Sequence, residues 1–254
     1  MANYRVHNPR SAPTTPPRLP ATQFWGLVVI IWMVLQMPVA RIPIEFLSTW
    51  AHELGHGVGA LITGGGFEAL TVFPDFSGLA RTLTTNDFQR AMVIFIGLLG
   101  PSLMGVLMIF MTRALHKSRL AVAVLAGLLA LSLIWAADSF TVAILLIGAV
   151  ILGVSAWKLP AQIIHYVAHI IAIALCLNAL TGFGYFFIGN GEIGGSVYRS
   201  DTGVLSDVIG GPYWFWGMLM VVVSVAILVA GVWFSDRIAN RSNAKDKADS
   251  PWRR

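Results

Sequence analysis

Charge is what this chain has least of. Only 11% of its 254 residues are Asp, Glu, Lys or Arg, less than half the roughly 25% of an ordinary soluble domain. A complement that small cannot clothe a globular surface, which excludes a secreted enzyme, a DNA-binding domain and a disordered scaffold. Cysteine is scarcer still: Cys176 stands alone, so no internal disulfide can staple the fold. The length is that expected of one compact helical bundle with no appended soluble domain.

Long apolar runs fill the place of charge. Residues 19–40, 91–112, 139–157, 159–191 and 212–235 carry no charged side chain, and each approaches or exceeds the ~20 residues a helix needs to cross a bilayer. Together with shorter helical patterns over 44–63 and 120–136, they predict an all-α integral membrane bundle of about six to seven transmembrane helices. Gly64, Gly65 and Gly66 end the 44–63 helix, since glycine supplies the left-handed backbone of a helix stop. The period then changes. Leu70, Val72 and Phe73 lead to a Pro74-Asp75 turn, with Leu79, Arg81 and Leu83 alternating beyond it, so residues 67–85 read as a short β-hairpin or membrane-dipping loop.

The flanks are polar. Residues 1–20 hold five of the twelve prolines and are expected to be a disordered tail, ahead of a single polytopic membrane domain over 21–236. A glycine-rich loop is expected over 189–211, and a basic tail over 237–254. Six Lys or Arg lie in that tail and three more in 113–119. This distribution favours a cytoplasmic C-terminus, because basic loops stay on the cytoplasmic side, and no nucleic-acid partner is implied. Phe24-Trp25 and the 213–216 aromatic cluster read as headgroup anchors, and no cofactor box is present.

The chemistry concentrates in His52-Glu53-Leu54-Gly55-His56, an H-E-x-x-H pattern. Positions four apart on a helix differ by about 40°, so both imidazoles face one side and can hold one zinc ion while Glu53 handles a water proton. The alternative is a set of polar groups satisfied inside the bundle. A carboxylate at the bilayer centre costs about 2.5 kcal/mol or more on insertion scales, and such residues are usually functional. His165 and His169 form a second pair four apart; they either complete the site from another helix, bind a second metal, or are hydrogen-bonded within the bundle.

The stretch His52-Glu53-Leu54-Gly55-His56-Gly57-Val58-Gly59-Ala60-Leu61-Ile62-Thr63-Gly64-Gly65, followed by Val72-Phe73-Pro74, Ser77-Gly78 and Gly97-Leu98-Leu99-Gly100-Pro101, resembles the intramembrane metalloproteases of the site-2 protease family. It is most similar to their compact bacterial peptidase-like branch, which implies a bacterial cytoplasmic membrane. The resemblance implies an Asp on a later helix as third zinc ligand. Neither an Asn-Pro-Asp-Gly nor a Leu-Asp-Gly motif occurs, and Asp138, Glu192, Asp201 and Asp207 are the carboxylates available. Ser200-Asp201-Thr202-Gly203 is similar to the segment before the last helix in that branch, making Asp201 the first choice and Asp207 the second, with a helix cap or plain loop role as the alternative for either. Asn178 stands where an amide could orient a substrate carbonyl or a ligand, or simply join helices by hydrogen bonding.

The resulting expectation is a zinc-dependent intramembrane endopeptidase acting on a membrane-protein substrate within the lipid bilayer. A non-proteolytic metal-binding carrier or membrane scaffold of the same fold is the alternative.

Overall fold

The computed structural model describes residues 19–181, 187–193 and 196–248. Residues 1–18 and 249–254, assigned above to the tails, lie outside the described residues.

Two proline-led helices open the bundle. Helix α1 (Ala21–Val34) follows Pro20, and α2 (Pro38–Ile62) starts on Pro38, a position whose missing N–H would be unpaired in any case. The chain turns by 106° between them. At 14 residues, α1 spans about 21 Å, short of the ~30 Å hydrocarbon core.

This break corrects the expected number of membrane helices. Four helices among the described residues are long and apolar enough to cross a membrane, or up to five if α1 and α2 form one bent span. The run over 19–40 is cut before it reaches span length, and α2 carries the charged residues Arg41, Glu45 and Glu53. The molecule is a multi-pass membrane protein all the same: α3 (Asp87–Ile109), α4 (Ser118–Ser132), α5 (Ser139–Lys158) and α8 (Tyr213–Ala248) supply the spans, α3 and α4 with the short helical turns that extend them. Bare apolar side chains on α5 (Val150, Ile151, Val154) and α8 (Val222, Val229) face outward, as a lipid-covered surface requires.

After α2 the backbone reverses at Gly64, whose φ of +82° suits glycine, and the Gly65 N–H donates to the Ala60 carbonyl at 2.8 Å. Strands β1 (Gly66–Val72) and β2 (Gly78–Leu83) then pair antiparallel, Leu70 opposite Ala80 and Val72 opposite Gly78. The expected hairpin is therefore present. It is tied to α2 by Thr49 Oγ1, which donates to the Phe76 carbonyl at 2.7 Å, and to α5 by the Val72 N–H, which donates to Thr141 Oγ1 at 3.0 Å.

Helices α2 and α3 approach through glycine. A Cβ on Gly55 would stand 2.7 Å from the Ile96 carbonyl oxygen. Gly100 is as tightly placed against the Ala51 carbonyl. Helix α3 is fixed at its start by Asn86, whose side chain accepts from the Gln89 N–H at 2.9 Å, an N-cap that satisfies an otherwise orphaned donor. Across α2, the wholly buried Trp50 donates its indole N–H to Ser132 at the end of α4 at 2.9 Å. Helix α6 (Ala161–Thr181) runs through the core with residues 171–177 buried; the expected continuation over 182–186 lies outside the described residues.

The expected loop over 189–211 is more ordered than composition suggested. It contains β3 (Asn190–Ile193) paired with β4 (Ser196–Arg199), then α7 (Asp201–Ile209). Helix α8 also continues to Ala248, so residues 237–248 are helical.

At one end of the bundle Arg113 is buried. Its Nε and Nη2 donate to Asp236 Oδ1 at 3.0 and 2.8 Å, Nη1 donates to the Leu19 carbonyl at 3.3 Å, and the guanidinium lies 4.4 Å from the Phe24 ring centroid. This ties α8 to the segment that follows α3. Asp236→Ala removes the carboxylate from a buried cation, so unfolding of detergent-solubilised protein followed by circular dichroism is expected to show a loss of about 3–5 kcal/mol.

Candidate metal centre

The helical register of α2 sends His52, Glu53 and His56 toward one cavity of about 400 Å³. Residues of α2, α3, β2, β4 and α7 line it. The rings of His52 and His56 stand edge-on with centroids 4.5 Å apart, and their Nε2 atoms are 3.0 Å apart.

From the other side comes Asp201, the first residue of α7. Its Oδ2 lies 2.8 Å from His52 Nε2 and 3.3 Å from His56 Nε2. The ligand atoms of these three side chains all fall within 4.8 Å of one another. Ligand nitrogens at 2.0–2.1 Å on a tetrahedral zinc would be about 3.3 Å apart, close to what is seen.

The donors also suit a cation chemically. His56 Nδ1 is 3.0 Å from the Val93 carbonyl, which can only accept, so Nδ1 carries the hydrogen, and in the neutral ring Nε2 presents a lone pair. That lone pair faces the Asp201 carboxylate, another acceptor. Two acceptors turned toward each other in a buried place are relieved by a positive ion between them. Gly97 makes room for the ring: a Cβ there would fall 2.3 Å from His56.

Glu53 is buried beside this group, and β2 begins on glycine because of it. A Cβ on Gly78 would lie 2.5 Å from Glu53 Oε1.

Asp201 is held by its neighbours. Ser200 caps α7, its Oγ accepting from the Gly203 N–H at 3.1 Å and donating to the Ile188 carbonyl at 2.5 Å. Asp207, the second choice from sequence, points elsewhere: Arg199 donates to it through Nε at 2.8 Å and Nη2 at 2.7 Å. These hydrogen bonds hold the Asp207 carboxyl below its ordinary range. Asp138 caps α5, accepting from the Thr141 N–H at 2.9 Å. The side chains of Glu192 and Asn178 lie outside the described residues.

His165 and His169 do not line the cavity. His165 Nδ1 is 2.9 Å from Ser118 Oγ, and His169 Nδ1 is 2.8 Å from the His165 carbonyl. Sequence reasoning missed the Val93 carbonyl, the steric need for Gly78 and the Arg199 clamp. Only the Ser200 cap had a readable signal, a serine immediately before a helical segment.

A helical membrane bundle that brings two histidines and an aspartate to ligand spacing, with a buried glutamate alongside, has the construction of a metallopeptidase. Comparison with protein families agrees. The model of the family described as Peptidase M50B-like matches residues 24–231, most of the chain, and the chain belongs to this family of site-2 protease type peptidases. Neither curated proteins nor solved structures give a match.

Two outcomes follow from the geometry. Gly97→Val would press a side chain into the His56 ring, so metal affinity measured by competition with a chromogenic chelator is expected to fall about 10- to 100-fold, as it does when a ligand loses its supporting contacts. The second concerns pH. Because the folded Asp207 carboxyl is depressed by Arg199, the clamp is at full strength above the unfolded Asp value near ~4 and is lost as pH falls through the lower folded value. Asp207→Asn should therefore mimic acid at neutral pH, with faster hydrogen exchange of α7 amides than in the parent protein.

Proposed function

We propose that this protein is a zinc-dependent intramembrane endopeptidase that cleaves membrane-embedded or membrane-adjacent segments with an activated water. The observation that carries this reading is the convergence of His52 Nε2, His56 Nε2 and Asp201 Oδ2 within ligand reach of one another beside the buried carboxylate of Glu53. Two imidazoles and a carboxylate are a donor set that suits zinc and leaves a fourth position open. Zinc held there would supply a Lewis acid and lower the pKa of a water to ~7.

The chain's own groups do the rest. Glu53 accepts the proton of the attacking water and returns it to the departing amine. Val93 keeps the His56 tautomer fixed, and the Ser200 cap keeps Asp201 aimed at the two rings. Burial of Glu53 and His56 strengthens their interactions by limiting water. A metal carrier would need no carboxylate between its two histidines, which favours the peptidase over a non-proteolytic role.

Substrate geometry follows from β2. Gly78, Leu79, Ala80 and Thr82 line the cavity, and β2 pairs with β1 on one edge only among the described residues. An unwound substrate segment adding a strand to the other edge would present its peptide bonds toward His52 and His56.

Orientation has support as well. Arg113 bonds Asp236 on α8, and Arg119 donates to the carbonyls of Ala156, Trp157 and Leu159, so the basic segments gather at one end of the bundle. We place that end, and the C-terminus, on the cytoplasmic side, in what we infer to be a bacterial cytoplasmic membrane.

The decisive variant is Glu53→Gln. Purified protein should keep one equivalent of zinc, while cleavage of a single-span test substrate, read by mass spectrometry of the new peptide ends, falls about 10²- to 10⁴-fold. His56→Ala should lose both zinc and activity. Undiminished cleavage by Glu53→Gln would overturn the mechanism.

A further inference from the structure

A second histidine pair has the helical spacing and ring-to-ring distance of the first in a different place, with the rings tilted at 59° where those of the first stand at 90°. His165 and His169 are buried on one face of α6, with ring centroids 4.4 Å apart against 4.5 Å for His52 and His56. Neither Nε2 has a hydrogen-bond partner among the described residues. Both Nδ1 atoms are engaged. The His165 carbonyl, 2.8 Å from His169 Nδ1, can only accept, so that nitrogen carries the hydrogen and His169 Nε2 has a free lone pair. Ser118 Oγ, 2.9 Å from His165 Nδ1, accepts in the same way when His165 takes the matching tautomer. A ring whose Nδ1–H is held and whose Nε2 is bare is a ring set up to ligate.

We propose that His165 and His169 form a second metal site, and that its ion is Cu(I). Leaving two buried polar nitrogens unpaired is costly, a cost that an ion between them would offset. No carboxylate or thiolate joins them at ligand distance among the described residues. The Arg113 guanidinium, itself bonded to Asp236, acts electrostatically on both rings.

That donor set decides the ion. Zinc almost always takes four ligands in closed protein sites, and a doubly charged ion beside a guanidinium with no anion of its own is heavily penalised in a low-dielectric place. A singly charged ion that accepts two imidazole nitrogens needs no further ligand and lessens the charge penalty. With no acid between the two histidines, in Tyr166-Val167-Ala168, the site lacks the group that would activate water. It holds an ion without hydrolysing anything, and it sits among the contacts that fix α6 to α4 through Ser118.

The test uses the full chain in detergent under anaerobic conditions, titrated with Cu(I) against bicinchoninate, with zinc measured in the same samples. The parent protein should bind one Cu(I) per chain in addition to zinc. His165→Ala/His169→Ala should lose the Cu(I) and keep the zinc, whose retention also reports that the variant has folded. His165→Gln alone should weaken Cu(I) at least tenfold, and His56→Ala should leave Cu(I) binding intact. X-ray absorption of the copper form should show two nitrogen scatterers. The proposal is overturned if the parent fails to compete for Cu(I), if the double variant binds as much as the parent, if the Cu(I) disappears with His56→Ala instead, or if the pair takes up a second zinc in preference.

Discussion

The distance between α2 and α3 governs the geometry of the candidate metal centre. Gly55, Gly97 and Gly100 remove the side chains that would otherwise hold the two helices apart, and the space so gained is filled by the His56 ring and by backbone. At that separation the Val93 carbonyl comes within reach of His56 Nδ1. The hydrogen on Nδ1 and the ring's direction, which turns Nε2 toward His52 and Asp201, are thus consequences of a helix packing contact. A bulkier interface would leave the H-E-x-x-H residues in place along α2 and still spoil the centre.

Around that contact the other elements act as positioning devices. The hairpin of β1 and β2 is pinned near its turn, by Thr49 to α2 and by Thr141 to α5, which sets Gly78 against Glu53. The short α7 is fixed by its own cap and by the Arg199 clamp, which sets Asp201 against the histidines. Trp50, buried two residues ahead of the motif, holds the same helix to α4. The polar groups buried at the other end, Arg113 with Asp236 and the His165–His169 pair, are independent of this cluster in their contacts.

How much was legible in the sequence differed by the range of the interaction. His52, Glu53 and His56 could be read directly because their relation is set by helical periodicity within five residues. The hairpin over 66–83 was legible for the same reason, through alternation around a Pro-Asp turn. Membrane helices were overcounted where an apolar run did not mean a straight span: composition does not report the 106° turn between α1 and α2. The segment 189–211 looked like linker because its glycines hide pairings that depend on Arg199 reaching Asp207, Gly189 and Asn190.

By itself the sequence determined the solvent, since so few charges can face only a bilayer, and the chemistry, since an acid between two histidines on an apolar helix has a limited set of uses. Tertiary structure alone decided which aspartate faces the histidines. Asp201 and Asp207 lie six positions apart, and the sequence resemblance ranked Asp201 first while leaving Asp207 open as the second choice. What separates them is a long-range contact: one carboxylate is turned into the cavity at the start of α7, and the other is taken by Arg199 two turns later. Spacing along a chain fixes angles within a helix, but the distance between residues 52 and 201 exists only once the helices have packed.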